Sequence, residues 1–117
     1  MDDLVAWMRA DLTAAMRARD RTTTAVLRAA LGAVANAESV PVREAGRPAA
    51  DGPVAGAVTG VGATEAPRRV LSAADVVAVL RAERDERLAA ADQLAAAGSS
   101  GAADELRGTA ALLERYL

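Results

Sequence analysis

At 117 residues and a net charge of −2, the chain fits one domain and carries no overall field that would draw it to nucleic acid. It has no histidine and no cysteine, and all 14 of its basic residues are arginine. Imidazole proton shuttles, thiolate nucleophiles, Cys/His metal sites, Schiff-base lysines and Walker-type phosphate grips are thereby excluded.

The acidic start, Met1-Asp2-Asp3, argues against a secretory signal or a mitochondrial presequence, and no uncharged apolar run reaches membrane-spanning length. A cytoplasmic location is expected. Aromatics make up only 2% of the chain, Trp7 and Tyr116, so the core must be built from Leu, Val, Met and much Ala. Alanine favours helix and buries little area per residue, which predicts a thin core.

The spacing predicts an all-α fold of two antiparallel helical hairpins, four helices in all, joined by a long Gly/Pro/Ala-rich linker. Helix one covers about 3–18, with Leu4, Val5, Met8, Leu12, Ala15 and Met16 on one face and Trp7 at its edge. Asp20 is placed to N-cap helix two, about 21–38, whose inward positions are Val26, Leu27, Ala30, Leu31, Val34 and Ala37. Arg17, Arg19 and Arg21 surround Asp20. They fit either cations near the end of helix one or contacts to an anionic partner.

From about 39 to 70 no helical or alternating period survives, and the segment reads as a linker. Its glycines do not make a phosphate-cradling loop, because no Gly-Lys-Ser/Thr follows and no strand-to-helix context surrounds them. Helix three is expected at about 72–97, opened by Ser72 with Asp75 as a capping-box variant and closed by Gly98. Helix four, about 102–117, carries Ala103, Leu106, Ala110, Leu113 and Leu117 on one face, with Leu112 and Tyr116 beside it.

Helix three breaks the amphipathic pattern. Its apolar face comprises Val76, Val77, Leu80, Leu88, Ala91 and Leu94, yet Arg84 projects near the middle of that face and Arg87 lies within it. Buried arginines are costly unless paired. Asp11, Glu38 and Glu83 are the candidate partners, giving an internal ion cluster that fixes helix register. The functional alternative is a face that opens there and binds phosphate or carboxylate bidentately. Arg81 with Asp85 and Glu83 with Arg87 fall at i,i+4, a spacing that supports a helix surface.

Catalysis is not expected. Asp85-Glu86 and Asp104-Glu105 are sequence neighbours, and adjacent helical side chains diverge by roughly 100°. No serine has a base partner, and no cofactor or metal is called for.

The order of these segments resembles the YqeY-like family, grouped as GatB/YqeY. Leu12-Thr13-Ala14-Ala15-Met16-Arg17-Ala18-Arg19-Asp20 resembles the family's opening helix and basic turn. Val26-Leu27-Arg28 with Ala35-Asn36-Ala37-Glu38 is similar to its second helix. Leu71-Ser72, Val76 to Leu80, the charged stretch Glu83 to Arg87, and Ala96-Ala97-Gly98 resemble the third. Leu112-Leu113-Glu114-Arg115-Tyr116-Leu117 is similar to the Leu-Glu-x-Tyr-Leu ending of the family's N-terminal domain.

The resemblance covers both hairpins and leaves out the linker. It implies the N-terminal helical domain of a cytosolic bacterial protein, and the C-terminal GatB-tail-like domain found in relatives is absent from the chain. It further implies a link to tRNA-dependent amidotransferases, carbon–nitrogen ligases that take glutamine as amido-N donor, as a non-catalytic accessory piece. Two functions follow as expectations. In one, Arg17, Arg19, Arg21, Arg28, Arg84 and Arg87 contact tRNA phosphates, or the domain contacts an amidotransferase subunit. In the other, the domain is a protein-interaction module with an open helical groove, and Leu112, Tyr116 and Leu117 mediate self-association.

Overall fold

A computed structural model describes residues 4–50 and 70–117, with side chains for 4–39 and 70–117. The described residues form four helices: α1 (Leu4–Arg17), α2 (Arg21–Ala50), α3 (Ala73–Ala96) and α4 (Ser100–Glu114). The fold is all-α, with no strand among the described residues. None of the described helices is long and apolar enough to cross a membrane.

Three helix boundaries have a local cause. Asp20 receives a 3.1 Å hydrogen bond from the Thr23 amide and a 2.7 Å bond from its hydroxyl, and so caps α2. Ser72 Oγ accepts from the Asp75 amide while an Asp75 carboxylate oxygen accepts from the Ser72 amide, closing a full capping box at the head of α3. Helix α3 stops at Gly98, whose φ of 89° suits a residue without a Cβ.

The core is thin and aliphatic. Met8, Val26, Leu27, Ala30, Val34, Val76, Leu80, Leu113 and Tyr116 form one buried cluster, flanked by partly buried Leu4, Val5, Leu12, Leu31, Leu71, Val79 and Leu112. Helix α1 lies along α2, and α3 along α4, while α2 also touches both α3 and α4. Alanines line the α3–α4 pair: Ala91, Ala103 and Ala110 are all buried. Their small side chains let the backbones approach closely.

Several boundaries and inward positions differ from the sequence expectation. Helix α2 runs to Ala50, past the Glu38 end that loss of periodicity predicted. Periodicity registers a buried stripe, which a helix can lack. Arg43, Glu44, Ala45, Ala49 and Ala50 favour helix on their own, against Gly46 and the two prolines, Pro41 and Pro48, which each remove one intrahelical donor. The rest of the expected linker, 51–69, lies outside the described residues. Helix α4 is shifted towards the N-terminus of its expected span, starting at Ser100 and ending at Glu114.

Met16, expected to face inward, is 48% exposed: its sulfur sits 3.8 Å from Arg28 Nη2, on the outer side of the α1–α2 corner. Leu117, also assigned to an inward face, is exposed beyond the end of α4.

Candidate functional site

The arginines sort into two groups by their partners. On α3 and α4, Arg84, Arg87 and Arg107 have carboxylate partners, whereas Arg81 of α3, like Arg9 of α1, has none among the described residues. Arg84 Nε is 3.0 Å from Asp85 Oδ1, and its Nη1 is 3.6 Å from Glu114 Oε2. Arg87 Nη1 reaches Glu83 Oε1 at 3.2 Å and also donates to the Glu83 carbonyl at 3.3 Å. Arg107 bridges Asp92 and Asp104.

The Arg84 and Arg87 side chains are 24% and 18% exposed, so their stems lie in the helix interface while their heads reach polar partners. Asp85, expected to pair with Arg81, instead takes the neighbouring Arg84.

Asp11 corrects the expected ion cluster. Its carboxylate accepts a 2.6 Å hydrogen bond from the Tyr116 hydroxyl and lies 3.9 Å from Arg115 Nη2, so it serves the chain's end rather than Arg84 or Arg87. Glu38 is half-buried on α2. Of the three expected acidic partners, Glu83 is the one that holds Arg87.

The second group lies at the α1–α2 corner. Among the described residues, Arg17, Arg19, Arg21 and Arg28 have no carboxylate partner. The one acid in the turn, Asp20, is occupied by Thr23; those two hydrogen bonds, the hydroxyl's first, hold its carboxyl below the usual range.

Arg19, Arg21 and Arg28 converge with Met16, Thr24 and Ala25 around an open concavity of about 390 Å³. An adjoining groove of about 420 Å³ is lined by Arg21, Thr22, Ala25, Val26, Arg87, Leu106 and Thr109. Arg21 and Ala25 belong to both. Arg17 is exposed at the end of α1 and lines neither, and Arg84 is engaged at the α3–α4 side.

Guanidinium forks that are free of internal carboxylates can take phosphate or carboxylate oxygens bidentately. Aromatic side chains do not line either hollow, so the surface offers charge and shape rather than a stacking platform.

A third concavity, about 430 Å³, is of different character. Leu4, Trp7, Ala73, Val77, Arg115, Tyr116 and Leu117 line it. Trp7 stands edge-on to Tyr116 with ring centroids 4.8 Å apart and remains 46% exposed. Sequence reasoning placed Trp7 at a core rim but did not find the concavity. Its walls come from α1, the head of α3 and the chain's end, which no local pattern relates.

Burial, followed by the Asp11 hydrogen bond, pushes the Tyr116 hydroxyl up to about 12. This protonated donor is structural and unsuited to proton abstraction near neutral pH. No group of three or more His, Cys, Asp or Glu side chains among the described residues could hold a metal ion.

Comparison with family models, curated proteins and solved structures returned no match for this chain.

Proposed function

We propose that this chain is a YqeY-like helical domain that acts as a non-catalytic accessory in tRNA-dependent amidation, meeting the tRNA phosphate backbone with the α1–α2 corner. The family association is with carbon–nitrogen ligases that use glutamine as amido-N donor; amide transfer itself would belong to a partner subunit. The observation that carries the reading is the grouping of Arg19, Arg21 and Arg28 around one hollow without carboxylate partners, while Arg84, Arg87, Arg107 and Arg115 are all neutralised internally. Arg9 and Arg81 also lack a carboxylate partner but line neither hollow, so it is the convergence of three bare guanidinium groups on one concavity that suits an external anion. The succession of motif-bearing segments and the all-α fold support the family assignment.

Phosphate contacts position a protein on nucleic acid without reading sequence, which fits a surface lacking aromatics. The test is tRNA binding as a function of salt. Binding should weaken steeply as salt rises, and R19A, R21A and R28A should each lower affinity. Undetectable binding at low ionic strength removes the reading.

A second reading draws on the apolar concavity around Trp7 and Leu117: a protein-interaction module with no role on RNA. Concentration-dependent dimerisation in sedimentation, abolished by W7A, would favour it, and a monomer at high concentration would count against self-association.

A further inference from the structure

The ends of α1 and α3 are built to one plan. At α3, the Ser99 amide donates to the Leu94 carbonyl at 2.8 Å and the Gly98 amide to the Ala95 carbonyl at 3.0 Å. At α1, the Asp20 amide donates to the Ala15 carbonyl at 2.9 Å and the Arg19 amide to the Met16 carbonyl at 3.1 Å. Both are Schellman turns, and both need a left-handed residue at the same position. At α3 that residue is glycine, with φ 89°; at α1 it is Arg19, with φ 59°. The left-handed region crowds a Cβ against the backbone, and arginine has no short side chain to relieve the strain locally.

Strain of this kind persists where the surroundings enforce it and concentrates at binding sites. The motif needs only a backbone there, as Gly98 demonstrates. What Arg19 adds is a guanidinium, and that group lines the concavity shared with Arg21 and Arg28.

Arg21 also lines the adjoining groove, where Arg87 is held by Glu83. The concave surface continues from the corner across the start of α2 towards α3 and α4, but Arg21 is the one bare arginine in that second groove. It does not continue along α1, where Arg17 lines neither hollow.

We propose that Arg19 is a dedicated phosphate-positioning residue, kept in a strained backbone for that purpose, and that the ligand is a chain of linked phosphates spanning the hollow from Arg19 and Arg28 to Arg21. This rests on, and sharpens, the polyanion reading above. It assigns the corner to linked phosphates rather than to a lone inorganic phosphate, because three bare arginines line one open hollow of about 390 Å³.

The experiment uses the full chain and two probes, unmodified tRNA and inorganic tripolyphosphate, followed by titration calorimetry and amide chemical shifts at low salt. R19G is the decisive variant. It should raise the melting temperature by a few degrees, because glycine relieves the left-handed strain, and weaken binding of both probes about fivefold. R19A keeps the strain and removes the guanidinium, so it should match R19G in binding without the thermal gain. R21A should lose most, roughly tenfold or more, and R17A should change affinity less than twofold.

Binding of R19G at wild-type affinity overturns the proposal, as does an R17A loss equal to that of R21A, which would mean diffuse charge alone. Wild-type binding of tripolyphosphate with the stated variant order, but no tRNA binding, upholds the site and removes the tRNA reading. Failure to bind either probe removes both.

Discussion

Tyr116 Oη donates a 2.6 Å hydrogen bond to Asp11 Oδ2, joining positions 105 residues apart. The same tyrosine is buried in the core cluster, lies edge-on to Trp7 and has the Arg115 guanidinium 5.8 Å from its ring centre. This clasp fastens the chain's end to α1. Phenylalanine would keep the ring packing and lose only the hydroxyl contact, so Y116F should cost about 1 kcal/mol in a denaturant melt. Y116A also leaves a cavity and should cost about 3–5 kcal/mol.

The clasp also sets an alkaline limit. The Tyr116 pKa is raised in the folded state to about 12 from 10.0. Its contribution is therefore complete below pH 10 and is lost as pH climbs through 12. At the acid end, Asp20 behaves in the opposite sense. Its folded pKa lies below 3.8, so its contribution is present above that value and disappears as pH falls through the lowered one. As pH rises from 10 towards 12 the wild-type melting temperature should fall relative to that of Y116F, and the two curves should meet in that range. Parallel curves across that range would contradict this assignment.

The core is thin enough that one deletion should be felt globally. Leu80 is fully buried against α1, α2 and α4 partners of the same cluster. L80A should destabilise by about 2–5 kcal/mol, measured by urea unfolding. A loss under half a kilocalorie would mean the helices do not share that core.

Two helical glycines offer gains. Gly32 in α2 and Gly108 in α4 are exposed, and a Cβ at either would meet nothing within 4 Å. G32A and G108A should each stabilise by about 0.5–1 kcal/mol. Gly98 is also open in space, but its φ of 89° makes G98A unfavourable, by about 1 kcal/mol. Equal effects at Gly98 and Gly32 would show that the left-handed turn is not maintained in solution.

Much of the fold could be read from residues that act locally. Asp20, Ser72, Asp75 and Gly98 mark helix ends through contacts within a few positions, so their chemistry is visible in short windows. The stripe through Val26, Leu27, Ala30 and Val34 reports its own burial by spacing. Where periodicity fades, the reading fails, as at the end of α2: a helix can continue without a buried stripe.

The site was legible only in part. Arg19, Arg21 and Arg28 stand out by composition, but whether an arginine is bare depends on acids far along the chain. Glu114 takes Arg84, and Asp11 turns to Tyr116, through packing that one helix's pattern cannot encode. The strain at Arg19 was likewise hidden, because a helix can end at Ala18 without a left-handed residue following.

The central claim is that the bare arginines of the α1–α2 corner meet nucleic-acid phosphates, and its most direct measurement is tRNA affinity of the wild type beside R21A across a salt series. The account predicts a steep linear fall of log affinity with log salt for wild type, and a shallower slope by about one unit for R21A. Salt-insensitive binding, or identical slopes for the two proteins, would contradict it.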